Sequence, residues 1–147
     1  MIEQRLARLE AIEAVRVLKA RYCELCDSGY PADELAALFT EDALWDGGAD
    51  LGRHEGREAI RSFFAGMPDT LAFAIHHVTN PQIEVDDDLT SAVGRWRLLQ
   101  IARPAGGGAS FWLAGEYHDR CSLDGQGWRF ASVTLSVGLM EAVGPSR

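Results

Sequence analysis

Few side chains in this sequence could carry out chemistry, and their spacing narrows what that chemistry is. Among the four histidines, His76 and His77 are neighbours in a β-branched and aromatic segment, so on a strand they point to opposite faces and cannot hold one ion together. Ala72, Ala74, His76, Val78 and Asn80 form the smaller face, and Phe73, Ile75 and His77 the bulkier one. Alanines leave room for a ligand where phenylalanine would fill it, so the smaller face is the expected cavity wall, with His76 on it. A buried structural histidine is the alternative there. Asp27 stands in Asp27-Ser28-Gly29, at the end of an aliphatic stripe, where helix-terminal carbonyls disfavour a carboxylate. It is either turn chemistry open to water or is kept ionised by a partner beneath the helix. An imidazole is the natural partner, because a carboxylate on one ring nitrogen fixes the tautomer and leaves the other nitrogen basic. Such a pair takes a proton from carbon or oxygen, the first demand of an elimination.

Cys23 and Cys26 make a C-x-x-C, but with no second pair and no nearby histidine set they read as small core thiols rather than a metal or redox site. Ala114, Glu116 and His118 share a face by period two, which offers Glu116 and His118 to a site or leaves them on an exposed strand face. Asp86-Asp87-Asp88 reads as a solvated hairpin turn, since a calcium loop needs more widely spaced oxygens. Gly106-Gly107-Gly108 reads as a flexible turn, and neither G-x-G-x-x-G nor G-x-x-x-x-G-K-[ST] occurs to suggest a nucleotide. Neither a metal nor an organic cofactor is expected.

The elements that would position these residues follow from periodicity. Ile2, Leu6, Leu9, Ile12, Val15, Leu18, Tyr22 and Leu25 step by three or four, predicting a long amphipathic helix over 2–26 that Gly29 closes. Pro31 suits the first turn of a short second helix over 33–39. A brief strand at 43–45, a polar, Gly-rich loop over 46–55 and a third helix over 56–64 follow. Strands are then expected at 73–80, 82–85, 91–102, 110–123 and 128–137, with Pro81 marking a bulge or break. Residues between Ser91 and Ala102 read as aliphatic or basic. Helices first and hairpin-linked strands after is an α+β pattern, with helices on one face of an antiparallel sheet. Tyr22, Trp45, Phe39, Phe64 and Trp112 are candidates for lining a pocket, at most half of them touching a ligand.

With 147 residues the chain is expected to be one domain, spanning 1–147. Fourteen Lys+Arg against 22 Asp+Glu give a net charge of −8, and without a basic stripe nucleic acid and anionic membranes are not expected partners. No apolar run approaches the roughly 20 residues of a membrane span, and the charged, aliphatic N-terminus does not read as a signal peptide. Three cysteines cannot all pair within the chain, so a reduced cytoplasm is the expected location.

Several stretches carry a resemblance: 14–27, 37–45 (ALFTEDALW), the helix start at 56–60, 75–80 (IHHVTN), 115–119 (GEYHD) and 127–130 (GWRF). Together, over nearly the whole chain, they resemble the SnoaL-like branch of the nuclear transport factor 2-like superfamily. That branch includes scytalone dehydratase, hexachlorocyclohexane dehydrochlorinase, bile-acid 7α-dehydratase and polyketide cyclases, and its fold is shared by ring-hydroxylating dioxygenase β subunits. The resemblance implies a cone-shaped α+β fold in which helices and a curved sheet enclose a cavity. It matches Asp27 and His76 to the catalytic dyad of the dehydratases and dehydrochlorinases. The implied activity is a cofactor-free lyase, of dehydratase type, acting on a small, largely apolar cyclic substrate. An isomerase or cyclase using the same proton abstraction is the alternative, as is a non-catalytic binding or assembly module. A homo-oligomer, trimer before dimer, is implied as well.

Overall fold

The structure, a computed structural model, describes residues 1–144. The long helix α1 spans Ile2–Asp27 and the short α2 Ala32–Ala36. Strand β1, Phe39–Asp46, leads through α3, Gly48–Leu51, into β2, Arg53–Glu55. Helix α4, Arg57–Thr70, precedes four long strands, β3 Leu71–Val85, β4 Ser91–Pro104, β5 Phe111–Asp124 and β6 Gly127–Ala142. The strands form a single six-stranded sheet in the order β2-β1-β6-β5-β4-β3, curved but not closed. The helices pack on it, giving the expected α+β architecture. Among the described residues no helix is long and apolar enough to cross a membrane.

The sheet is mixed rather than wholly antiparallel, because β1 runs parallel to β6 while every other neighbouring pair is antiparallel. Tight turns dictate the direction of β3 to β6, whereas β1 reaches β6 across the whole intervening chain, so no turn sets its sense. Phe39 opens β1, opposite Phe130 of β6, instead of ending the second helix. The expected loop at 46–55 holds α3 and β2, and α4 runs past Phe64 with Pro68 inside its last turn. Strand β3 continues through Pro81 as one element. The bulge lies between Thr79 and Gln82, where Asn80 takes φ 54°.

The apolar stripe of α1 begins to bury only at Ala11. Val15, Leu18, Tyr22, Leu25 and Cys26 face the core, while Ile2, Leu6 and Leu9 stay exposed. Tyr22 is the hub of the core, meeting Phe39, Phe64, Tyr117 and Phe130 edge-on at 5.7–6.3 Å between ring centroids, contacts worth about 0.5–1.5 kcal/mol each beyond the area they bury. One turn earlier, Lys19 is fully buried against fully buried Asp119 of β5, with Nζ 2.9 Å from Oδ2. The ammonium sits 3.4 Å from the centre of the Tyr117 ring. Burial pushes the Asp119 carboxyl up from its ordinary range, while Lys19 opposes that shift.

Candidate active site

Asp27 is the last residue of α1, and that helix lies along β3, which brings its C-terminus to the middle of the strand. The Asp27 carboxylate there engages His76 twice. The backbone N–H of His76 donates to Oδ1 at 2.9 Å and to Oδ2 at 3.2 Å. Asp27 Oδ1 also lies 2.6 Å from Nδ1 of the imidazole. An ionised carboxylate only accepts, so Nδ1 carries the proton and Nε2 is left with its lone pair. The bonds from β3 replace what the helix carbonyls would deny a carboxylate. The His76 side chain is 5% exposed and that of Asp27 27%, so the imidazole is sheltered and the carboxylate keeps partial contact with water.

Past Asp27 the chain turns through Gly29 (φ 89°) and Tyr30 (φ 58°). The left-handed conformation at Tyr30 is one that only an over-determined environment sustains. Here the environment is the cavity wall, where the Tyr30 ring stacks on Phe64 at 6.1 Å.

His76 lines a cavity of about 130 Å³ between the helices and the sheet. Tyr22, Trp45 and Phe64 line it too, as the sequence suggested. Trp45 Nε1 donates to the Tyr22 hydroxyl at 2.9 Å, fixing both rings. Burial holds the Tyr22 and Tyr117 phenols well above their ordinary range, so each is present as a neutral hydroxyl. Cys26 also lines the cavity, and burial raises its thiol well above the usual value, making it an inert wall atom.

Four of the residues suggested for substrate binding lie elsewhere. Phe39 is fully buried against Phe130 and Tyr22, behind the wall rather than in it. Trp112, Glu116 and His118 point away from the cavity. Strand β5 alternates without interruption, and Leu113, Tyr117 and Asp119 take the inner face. Glu116 and His118 meet on the outer face at 3.4 Å. Period two grouped them correctly, but nothing in β5 alone says which face is inward. Among the described residues no cluster of three or more His, Cys, Asp or Glu is arranged to hold a metal ion.

The sequence reading missed Gln100. It is a buried neutral polar residue of β4 and the Cα register partner of His76, not part of an aliphatic or basic run. Tyr30, Phe63, Met67, Leu113 and Tyr117 are further lining residues it did not single out. The alternation Leu98, Gln100, Ala102 was available as a signal for an inward face of β4.

The SnoaL-like domain profile matches residues 7–134. No curated protein shows significant sequence similarity. Among solved structures, the chain is similar to a proposed scytalone dehydratase from Novosphingobium aromaticivorans, with a TM-score of 0.84 and 24% identity, covering 99% of this chain and 94% of that one. A hexachlorocyclohexane dehydrochlorinase from Novosphingobium barchaimii gives a TM-score of 0.83 at 20% identity, covering 95% and 94%. A proposed aromatic ring hydroxylase from Novosphingobium aromaticivorans gives 0.76 at 24%, covering 99% and 92%. At such identities these similarities speak to the fold.

Proposed function

The chain belongs to the SnoaL-like domain family, and from that premise we propose that it is a cofactor-free lyase of dehydratase type with His76 as general base and Asp27 as its orienter. The observation that carries this reading is the 2.6 Å contact between Asp27 Oδ1 and His76 Nδ1, made by an imidazole that lines a mostly apolar cavity. Nε2 takes a proton from the carbon next to a carbonyl or aromatic ring. Asp27 stabilises the imidazolium that results, and the imidazolium then returns the proton to the departing hydroxide as water. Exclusion of water by the aromatic walls strengthens each of these interactions.

Size sets the substrate class. A cavity of about 150 Å³ accepts benzene, so a partly open one of about 130 Å³ suits a single six-membered ring whose substituents reach towards its opening. Tyr22, Trp45 and Phe64 supply apolar walls, and the Tyr22 hydroxyl, which accepts from Trp45, retains a proton to donate. An isomerase or cyclase uses the same first step and differs only in where the proton returns. A non-catalytic module would fill the cone with its own side chains, and the space beside His76 argues against that reading. The test is the ultraviolet absorbance of conjugated product from a panel of single-ring β-hydroxy ketones, alcohols and chlorinated cyclohexanes. Turnover of any member that is lost in His76→Ala supports the lyase. Turnover retained in a folded His76→Ala leaves only a likeness of shape.

We also propose a homo-oligomer assembled through the outer face of the sheet, a trimer before a dimer. Ile75, Ile101 and Trp112 are register neighbours there, as are Leu99, Ala114 and Leu139, and Phe73 adds to the same exposed apolar surface. Contiguous apolar patches of this kind mark interfaces. Light scattering gives a multiple of the 16.1 kDa chain mass on this reading, and a stable monomer at micromolar concentration refutes it. The three free, buried thiols suit the reducing cytoplasm, where we place the protein.

A further inference from the structure

The lyase reading leaves open what fixes a substrate against Nε2, and one side chain is placed for it. Gln100 is 6% exposed, lines the cavity and is the direct cross-strand partner of His76. Directly opposite residues have Cβ atoms about 5 Å apart, so the two side-chain tips reach adjacent atoms of one small ring. Besides His76, the neighbours of Gln100 on the inner face are Leu98 and Ala102 along β4 and Leu113 across on β5, and none of these three has a polar side chain. Among the described residues the hydrogen bonds of Trp45 with Tyr22 and of Asp27 with His76 hold the cavity's other polar groups, and no side-chain hydrogen bond involves the Gln100 amide. The amide atoms are not among the fully buried side-chain atoms left without a partner, so they open to the cavity, where a ligand reaches them.

Resting on the dyad as base, we propose that Gln100 Nε2–H donates to a carbonyl oxygen of the substrate, one bond from the carbon that His76 deprotonates. The substrate class is therefore a single-ring ketone bearing a β-hydroxyl, rather than a hydrocarbon or a purely halogenated ring. The step balances without a further reagent. The α C–H bond breaks and its proton goes to Nε2. The electron pair forms the enolate double bond, with the negative charge on the oxygen held by Gln100. Re-formation of the carbonyl makes the α,β double bond and expels the β-hydroxide, which takes the proton from the imidazolium and leaves as water. A glutamine does not titrate, so it supplies this donor at any pH the fold survives.

The experiment compares acetophenone with α-methylstyrene, the same shape with CH2 in place of oxygen. Binding is read by ligand-detected NMR in wild type, Gln100→Met, Gln100→Leu and His76→Ala. Wild type is expected to prefer the ketone by about tenfold, the worth of one hydrogen bond. Both Gln100 variants lose the preference, and His76→Ala keeps it. Because the replaced amide had no partner in the free protein, the ligand-free Tm of Gln100→Met is expected to equal or exceed that of wild type. No ketone preference in wild type, a preference that survives in either Gln100 variant, or a Gln100→Met protein that melts lower or fails to fold would each overturn the assignment. These readouts involve no turnover, so failure of the dyad as base would appear separately, as activity retained in His76→Ala.

Discussion

Replacing Asp27 by asparagine keeps the size of the side chain and removes one charge, and the geometry says why the change is damaging. In wild type, Oδ1 accepts from both the backbone N–H of His76, at 2.9 Å, and Nδ1, at 2.6 Å, while Oδ2 lies 3.2 Å from the same backbone nitrogen. An asparagine with its oxygen at the Oδ1 position still accepts both bonds but sets its NH2 against the backbone N–H. With its NH2 at the Oδ1 position it donates to Nδ1 and drives the proton to Nε2, removing the base. In neither orientation is there a negative charge to stabilise the imidazolium. With charge centres about 4 Å apart and an effective dielectric of about 20, that stabilisation is about 4 kcal/mol, or about 10³ in rate. The sheltered imidazole favours the full value, while the 27% exposure of the Asp27 side chain lowers it. The wrong tautomer lowers the rate further, towards the roughly 10⁴ known when a triad aspartate becomes asparagine. Turnover measures the rate, and 15N shifts of the His76 ring report the tautomer independently of any substrate. A wild-type ring protonated at Nε2, or an Asp27→Asn protein within tenfold of wild-type turnover, would refute this reasoning.

Other outcomes follow from the core. Lys19→Met or Asp119→Asn alone strands one member of a fully buried ion pair and is expected to destabilise by about 3–5 kcal/mol. The double variant Lys19→Met with Asp119→Leu recovers most of that in denaturant titration, and a double variant no better than the singles would contradict it. Burial pushes the Cys23 thiol up to about 11 and that of Cys121 to about 12. Since the folded values lie above the unfolded one of 9.0, their contribution is complete below pH 9 and is lost as pH rises through the folded values. Thermal melts should fall from about pH 9 upward in wild type and less so in Cys23→Ser/Cys121→Ser. Equal alkaline slopes would remove the thiols as the cause. Native protein should also resist thiol reagents at neutral pH until it is unfolded, and rapid labelling would contradict the buried placement.

Much of this was legible from the sequence because it rests on local periodicity. The helix over 2–26 differs from α1 by one residue, and Ala74 and His76 do face inward from β3, although Ala72 and Asn80 of the expected wall are exposed and His76 alone of that face lines the cavity. The parts that failed depend on partners distant in the chain. Glu116 and His118 share a face, but only the packing of Tyr117 and Asp119 inward decides that it is the outer one. Phe39 is aromatic and near the site in sequence, yet its register with Phe130 sets it behind the wall. Gln100 owes its importance to standing opposite His76, a register set by a bulge at Asn80 and Pro81 whose position in the pairing no local pattern gives.

The central claim is that His76, held by Asp27, removes a proton from carbon. Proton NMR in D2O tests it with a panel of single-ring ketones headed by 3-hydroxycyclohexanone, following exchange of the α protons and release of water to the enone. Wild-type protein is expected to accelerate exchange or elimination for at least one ketone far above the buffer rate, and His76→Ala to fall back to that rate. Equal exchange by wild type and a folded His76→Ala, or no ketone in the panel whose exchange depends on His76, would contradict it.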